Sequence, residues 1–251
     1  MTREELLLQT LQGLKTNIER QPFFVIDFQF SYKTDVATMP VEVAIKPFLL
    51  GSSQQYDGFH QIINRPVPFQ YFLNALHYTD FEHGVSSENN PVTQTDFETL
   101  WKKMNAFVRE KAIQIGQSGM QPIILATPRL ASEQCIDCIA TLAKVQDQKR
   151  GVFKTIYAID DFINAINKLV QHEINSIEIF NFYKPMFGDC DKSCMCSFHQ
   201  THMKKSISCS KTNTEYFTVA LYYFYKNVKQ TLDQLFQPPQ PVKQQVVPPY
   251  Y

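Results

Sequence analysis

Leu7, Leu8, Leu11, Leu14 and Ile18 recur at helical spacing over residues 4–20, which predicts a short amphipathic helix ended by Pro22. Residues 23–30 follow as Phe-Phe-Val-Ile-Asp-Phe-Gln-Phe, a β-rich apolar run of the kind found in a buried central strand. Two more runs, residues 40–50 and 56–63, flank Gly51-Ser52-Ser53, which reads as a hairpin turn, so three consecutive strands form a meander. Residues 64–90 are rich in aromatics, His and Asn without a clear period and read as an ordered loop holding a short helix.

Thr95-Asp96-Phe97-Glu98 has the spacing of a capping box, and Phe97, Leu100, Trp101, Met104, Phe107, Val108 and Ile115 trace one apolar stripe behind it. Residues 122–126 then read as a buried strand. Residues 132–145 read as a helix with Cys135, Cys138, Ile139 and Leu142 on its inner face, and residues 152–158 as another strand. Asp160 is placed to cap a helix carrying Phe162, Ile163, Ile166, Leu169 and Val170. Thr212-Asn213-Thr214-Glu215 is a second capping box, opening a helix to about residue 236 that Pro238-Pro239-Gln240-Pro241 stops. The order strand, strand, strand, helix, strand, helix, strand, helix is that of a ribonuclease H-like α/β fold, a mixed sheet with helices on its faces. A ferredoxin-like or doubly wound sheet shares much of it. The expected organisation is an N-terminal helix over residues 1–21, one domain over 22–236 and a disordered Pro/Gln-rich tail over 237–251.

Composition narrows the class. With 251 residues, 44% of them hydrophobic, the chain can bury a full core as one large domain. Its formal net charge is +0, so capture of nucleic acid or membrane by a whole-protein field is not expected, and a nucleic-acid surface must be a local patch. No apolar run approaches the roughly 18 residues of a membrane span, and the N-terminus lacks a signal-peptide pattern, so an intracellular protein without a membrane partner is expected.

Four of the 6 cysteines and two of the 6 histidines crowd into residues 190–209: Cys190, Cys194, Cys196, His199, His202 and Cys209. In a reducing compartment such clusters are more often ligands than disulfides, and Cys196-x-x-His199 is short enough for both side chains to reach one zinc ion from a single turn. Oxidised pairing is the alternative. Cys135-x-x-Cys138 has redox spacing, but it falls inside a helical pattern and reads as core.

The strand residues carry two carboxylates. Asp27 opens Asp27-Phe28-Gln29, where exonucleases of this fold place a paired Asp-x-Glu to hold two metal ions; here the second carboxylate is an amide, which binds Mg²⁺ poorly. Asp27 therefore reads as a structural residue of the sheet edge. A metal-dependent exonuclease would need Asp137, Asp160 or Asp161 beside it. Glu42, alone among apolar neighbours, faces solvent by simple alternation or is held inward by a cation, and alternation favours solvent.

Residues 23–30, Pro40-Val41-Glu42-Val43-Ala44, Phe59-His60-Gln61-Ile62-Ile63-Asn64, the His77 and His83 pair, and Cys196-x-x-His199 before a downstream Cys together resemble the Maelstrom domain, over about residues 22–235. The resemblance implies that Glu42, Cys196, His199 and Cys209 hold a structural Zn²⁺ in closed four-ligand coordination. It also implies single-stranded RNA binding with PIWI-pathway protein partners, in PIWI-interacting RNA mediated transposon silencing during gametogenesis and meiosis in the germline, in perinuclear cytoplasmic granules and the nucleus. Weak single-stranded RNA endonuclease activity is part of the same implication. A self-contained knuckle of Cys190, Cys194, Cys196 and His199, leaving Glu42 free, stays open, as does replacement of Cys209 by Cys194. Relatives often carry an HMG box ahead of this domain, and the chain begins almost directly at the domain, so duplex DNA binding of that type is not expected. Lys204, Lys205 and Lys211, with Lys102, Lys103, Arg109 and Lys111, are the cations placed to meet RNA, and Tyr222, Tyr223, Phe224 and Tyr225 offer stacking rings, although such a helix commonly turns at least two inward. A DEDD-type 3'-5' exonuclease relative and a catalytically inactive protein-interaction scaffold are the competing classes.

Overall fold

The computed structural model describes residues 1–85, 96–116, 119–128, 132–144, 151–171, 195–202 and 209–236. A five-stranded sheet forms the centre, in the order β3-β2-β1-β4-β5. Strands β1 (Phe23–Lys33), β2 (Thr38–Phe48) and β3 (Phe59–Ile62) pair antiparallel as the expected meander, and β4 (Ile123–Ala126) and β5 (Ile156–Ala158) add parallel on the other side of β1. This is the mixed sheet of the ribonuclease H-like fold.

Alternation along β1 divides the core. Phe23 and Val25 face one side, packed with Leu7 and Leu11 of α1 (Arg3–Leu14), Phe162 and Ile166 of α5 (Ile159–Val170), and Phe217, Leu221 and Phe224 of the last helix. Phe24, Ile26 and Phe28 face the other side, against Trp101 and Met104 of α3 (Phe97–Ile115) and Cys135, Cys138 and Ile139 of α4 (Ser132–Lys144). Cys135 and Cys138 are core residues, their thiols pushed up by burial. The N-terminal helix packs into this core through Leu7 and Leu11. It ends at Leu14, and a 3₁₀ turn, Lys15–Arg20, carries Ile18 inward.

Several local expectations shift. Gly51 does not form a tight hairpin: its N–H donates to the Glu19 carbonyl at 3.1 Å, and a Cβ there would meet Glu19 Cβ at 2.7 Å, so glycine serves close packing. Asp96 is the cap of α3, accepting from the N–H groups of Glu98 and Thr99 at 3.0 and 3.1 Å, while Thr95 lies outside the described residues. At α5, Asp161 rather than Asp160 reaches back, accepting from Ala158 N–H at 2.9 Å. Residues 152–155 are not strand, since a 3₁₀ turn, Gly151–Phe153, precedes the three-residue β5. The aromatic stretch after β3 holds a 3₁₀ turn, Phe69–Tyr71, then α2 (Phe72–Tyr78) and a π turn, Thr79–His83. Short helix α6 (Ser197–His202) precedes the long α7 (Ser210–Phe236). Among the described residues no helix is long and apolar enough to cross a membrane. The expected tail, residues 237–251, lies outside them.

Candidate metal centre

Glu42 points inward, not to solvent, with 0% exposure. It sits on the face of β2 that α7 covers, and the covering is matched in polarity. The first turns of α7 bring Ser210, Asn213, Thr214, Glu215 and Thr218 over the polar end of the sheet, while Phe217, Leu221, Phe224 and Val228 cover the apolar end. Tyr222 and Tyr223 are half-buried and Phe224 and Tyr225 fully buried, so two of the four candidate stacking rings are core. The helix starts at Ser210, ahead of the expected Thr212, because Glu42 Oε2 accepts the Ser210 N–H at 3.1 Å. A carboxylate at a helix N-terminus satisfies an orphan donor and meets the positive end of the macrodipole.

The other carboxylate oxygen, Oε1, is the centre of a cluster. His60 Nε2 lies 2.7 Å away, Cys209 Sγ 3.6 Å, His199 Nδ1 3.7 Å and Cys196 Sγ 3.9 Å. Glu42, His60, Cys196 and Cys209 each offer a ligand atom, all within 4.8 Å of one another. His199 adds a fifth donor, its Nδ1 2.9 Å from Cys196 Sγ. The fold thus gathers Glu42, Cys196, His199 and Cys209, and adds His60. Antiparallel register explains His60: Glu42 pairs with Ile62 and Ala44 with His60, so Glu42 and His60 are diagonal neighbours on one face. A Glu on the second strand and a His near the start of the third was the signal for it. Val41, Ile62, Val85 and Phe198 wall the cluster in apolar surface.

His199 is held from behind. Its Nε2 donates to the His83 carbonyl at 2.8 Å, and a carbonyl only accepts, so Nδ1 is the nitrogen turned toward the cluster, where a bound metal would take the place of its proton. His83 supports that contact without joining the cluster: Val85 N–H donates to its Nδ1 at 3.0 Å and its Nε2 donates to the Phe30 carbonyl at 3.2 Å. Burial lowers His83 to about 4, keeping it neutral. His77 is exposed on α2, its ring against Phe81 and Tyr78.

Burial raises Glu42, and the Cys209 charge adds to it against the pull of His60. The hydrogen bond from Cys196 lowers Cys209 and raises Cys196 in turn, so Cys209 is the sulfur that more readily gives up its proton. Burial alone would lower His199, but its contact with Cys209 and the Glu42 and Cys209 charges more than offset that, leaving it raised to about 9. Among the described residues Glu42 pairs with imidazoles alone, with no Lys or Arg in reach. A buried carboxyl and two buried thiols met only by imidazoles, which can give up their protons, leave room for a bound cation to take over the positive charge. Two sulfurs, imidazole nitrogen and a carboxylate oxygen in an enclosed pocket are the donor set of tetrahedral zinc, so the residues fit that ion.

Asp27 occupies the central strand rather than the sheet edge and is fully buried on the same face. Thr127 donates its hydroxyl to Asp27 Oδ1, while Asn213 and Gln29 donate to Oδ2 at 3.1 and 3.3 Å. Burial lifts its carboxyl to about 6, against the hydrogen bonds from Thr127 and Asn213. The hydrogen-bond partners of Asp27 are thus a hydroxyl and two amides, with no second carboxylate among them in the described residues. Asp137 is on α4, across the sheet, and Asp161 is engaged at the start of α5. Lys211 is half-buried at the start of α7, and Lys102 pairs with Glu98 on α3. Lys204, Lys205, Cys190 and Cys194 lie outside the described residues, as does the side chain of His202.

Comparison with solved structures returns nucleases. The chain is similar to the nuclease domain of 3'hExo, a DEDDh family member, bound to rAMP, at 11% identity and a TM-score of 0.55, covering 83% of this chain and 93% of that one. It is similar to a full-length 3'-exonuclease at 9% identity and a TM-score of 0.51, covering 83% of each. A 3'-exonuclease in specific recognition of the 3' end of histone mRNA stem-loop aligns at 10% identity and a TM-score of 0.54, covering 89% of this chain and 71% of that one. At such identities the likeness is one of fold. No curated protein matches. The sequence model of the Maelstrom family, described as a piRNA pathway germ-plasm component, matches residues 31–245, a span that holds the whole cluster from Glu42 to Cys209, and the chain belongs to the Maelstrom family.

Proposed function

We propose that the chain is a zinc-stapled, RNA-binding protein of the PIWI-interacting RNA pathway, acting with PIWI-pathway proteins to silence transposons in the germline. The observation that carries the reading is the buried Glu42 carboxylate, 0% exposed and facing two thiols and two imidazoles with no Lys or Arg partner among the described residues. In this reading Glu42, Cys196, His199 and Cys209 hold the ion, and His60 orients Glu42. Zinc there is architectural: it joins the second strand to α6 and the start of α7, replacing the acidic chemistry of a nuclease with a cross-link. RNA is the partner favoured by the family description and by neighbours described as acting on RNA 3' ends. Lys204, Lys205 and Lys211 are its proposed phosphate contacts, and nuclear and perinuclear granules its proposed location.

A two-metal exonuclease is disfavoured by Asp27, which is sealed beneath Asn213 and Thr127. Any cleavage of single-stranded RNA in this reading does not run through Asp27, and Mg²⁺ does not change its rate. Filter binding of a single-stranded RNA across a salt series tests the assignment: affinity falls as salt rises, with a shallower slope for Lys204→Ala/Lys205→Ala. No RNA affinity at low salt would leave the protein-interaction scaffold instead.

A further inference from the structure

We infer that α2 and its flanking turns form a docking face for an amphipathic, basic helix of another protein. Five large apolar side chains line the outside of this element: Phe69 is 95% exposed, Leu73 78% and Phe81 65%, with Phe72 and Leu76 at 45% and 44%. Residues 69, 72, 73 and 76 follow the i, i+3, i+4, i+7 rule, so they form one stripe rather than scattered exposures. The element beneath is anchored. Tyr71 stacks on Tyr32 at 4.9 Å, Ala75 is buried, Tyr78 packs on Phe30 at 4.6 Å, and Gly84 N–H closes the final turn on the Thr79 carbonyl at 2.9 Å. The stripe is therefore presented rigidly and outward.

Charge selects the occupant. Residues 66–85 contain no Lys or Arg, and Asp80 and Glu82 stand exposed at the C-terminal end of the stripe. The two cations nearest in sequence and strand pairing are committed to rings, Lys33 over Phe30 at 5.3 Å and Arg65 over Phe97 at 4.2 Å. A phosphate backbone or an anionic lipid surface meets the Asp80 and Glu82 carboxylates at this end of the stripe, which costs affinity for both. A helix with Leu- or Phe-type anchors and Lys or Arg beside them meets both the stripe and the acids. Size argues the same way. The exposed apolar area is roughly 600 Å², at the upper end of what a monomer shows in one patch and often functional there. It falls short of the roughly 800 Å² per partner of a standard stable interface, so a single partner helix fits better than a second copy of the chain.

The test is selection of a display library of random 16-residue peptides on the full chain and, in parallel, on the Phe69→Ser/Leu73→Lys double variant. Both positions are exposed, and circular dichroism is expected to be unchanged. The expected result is a pool with apolar residues at helical spacing and adjacent Lys or Arg, retained at least tenfold less by the double variant. Sedimentation of the wild type as a monomer and no cosedimentation with phosphatidylserine vesicles through the patch accompany it. A pool retained equally by the variant or lacking basic residues overturns the inference. So does self-association, or vesicle binding, that the double variant abolishes.

Discussion

Full burial lifts the Asp27 carboxyl from an ordinary value near 4 to about 6, and this sets a sign for stability. A group that holds its proton more tightly when folded stabilises the protein below its unfolded pKa, near 4, and that contribution disappears as pH rises through 6. Asp27→Asn, which never ionises, therefore gains on the wild type between pH 4 and pH 7 by about 2 kcal/mol. Urea unfolding of both proteins at the two pH values gives this difference, and a pH-independent gap would contradict it. Neither this burial nor that of Glu42 was legible from strand alternation, which separates two faces of a strand but does not say which is covered. The missing clue was the Ser, Thr and Asn content at the start of α7, which complements Asp27 and Glu42 across the interface. His199 and His60 also separate at this scale. In the proposed reading, His199→Ala removes a ligand and releases zinc, whereas His60→Ala frees Glu42 to reorient and weakens retention roughly 10- to 100-fold. Competition with a chromogenic chelator ranks them, and the reverse order would reassign the imidazole ligand to His60.

At the scale of elements, the apolar periodicity over residues 97–115, 132–144 and 159–170 placed three helices closely, since each has one stripe against the sheet. Ends were less legible because they depend on tertiary partners. α7 begins at Ser210 because Glu42 accepts its N–H from another element, and no local capping box encodes that. The turn before β5 is similar. Gly151 adopts a left-handed φ of 55°, and a Cβ there would lie 2.1 Å from Asn105 Oδ1, the same oxygen that accepts Val152 N–H at 3.2 Å. Gly151→Ala combines backbone strain with a clash against α3 and is expected to destabilise by about 1–3 kcal/mol. Chemical denaturation measures it, and a neutral effect would show that Asn105 yields without cost.

For the whole molecule, element order was compatible with a ribonuclease H-like sheet but did not separate it from a ferredoxin-like or doubly wound one; the strand order β3-β2-β1-β4-β5, three antiparallel strands extended by two parallel ones, makes that distinction. The site was legible only where chemistry is dense, in the Cys196-x-x-His199 spacing; Glu42 was assigned to it through family resemblance, and His60 needed the register of β2 and β3. In the proposed reading, an ion bound between distant parts of the chain holds the polar end of this architecture together. Elemental analysis of purified protein, paired with thermal unfolding before and after chelation, tests that directly. The expected result is one zinc per chain, lost together with folded stability on chelation and absent from Cys196→Ser. Metal-free protein that unfolds at the same temperature as the protein as purified would contradict it.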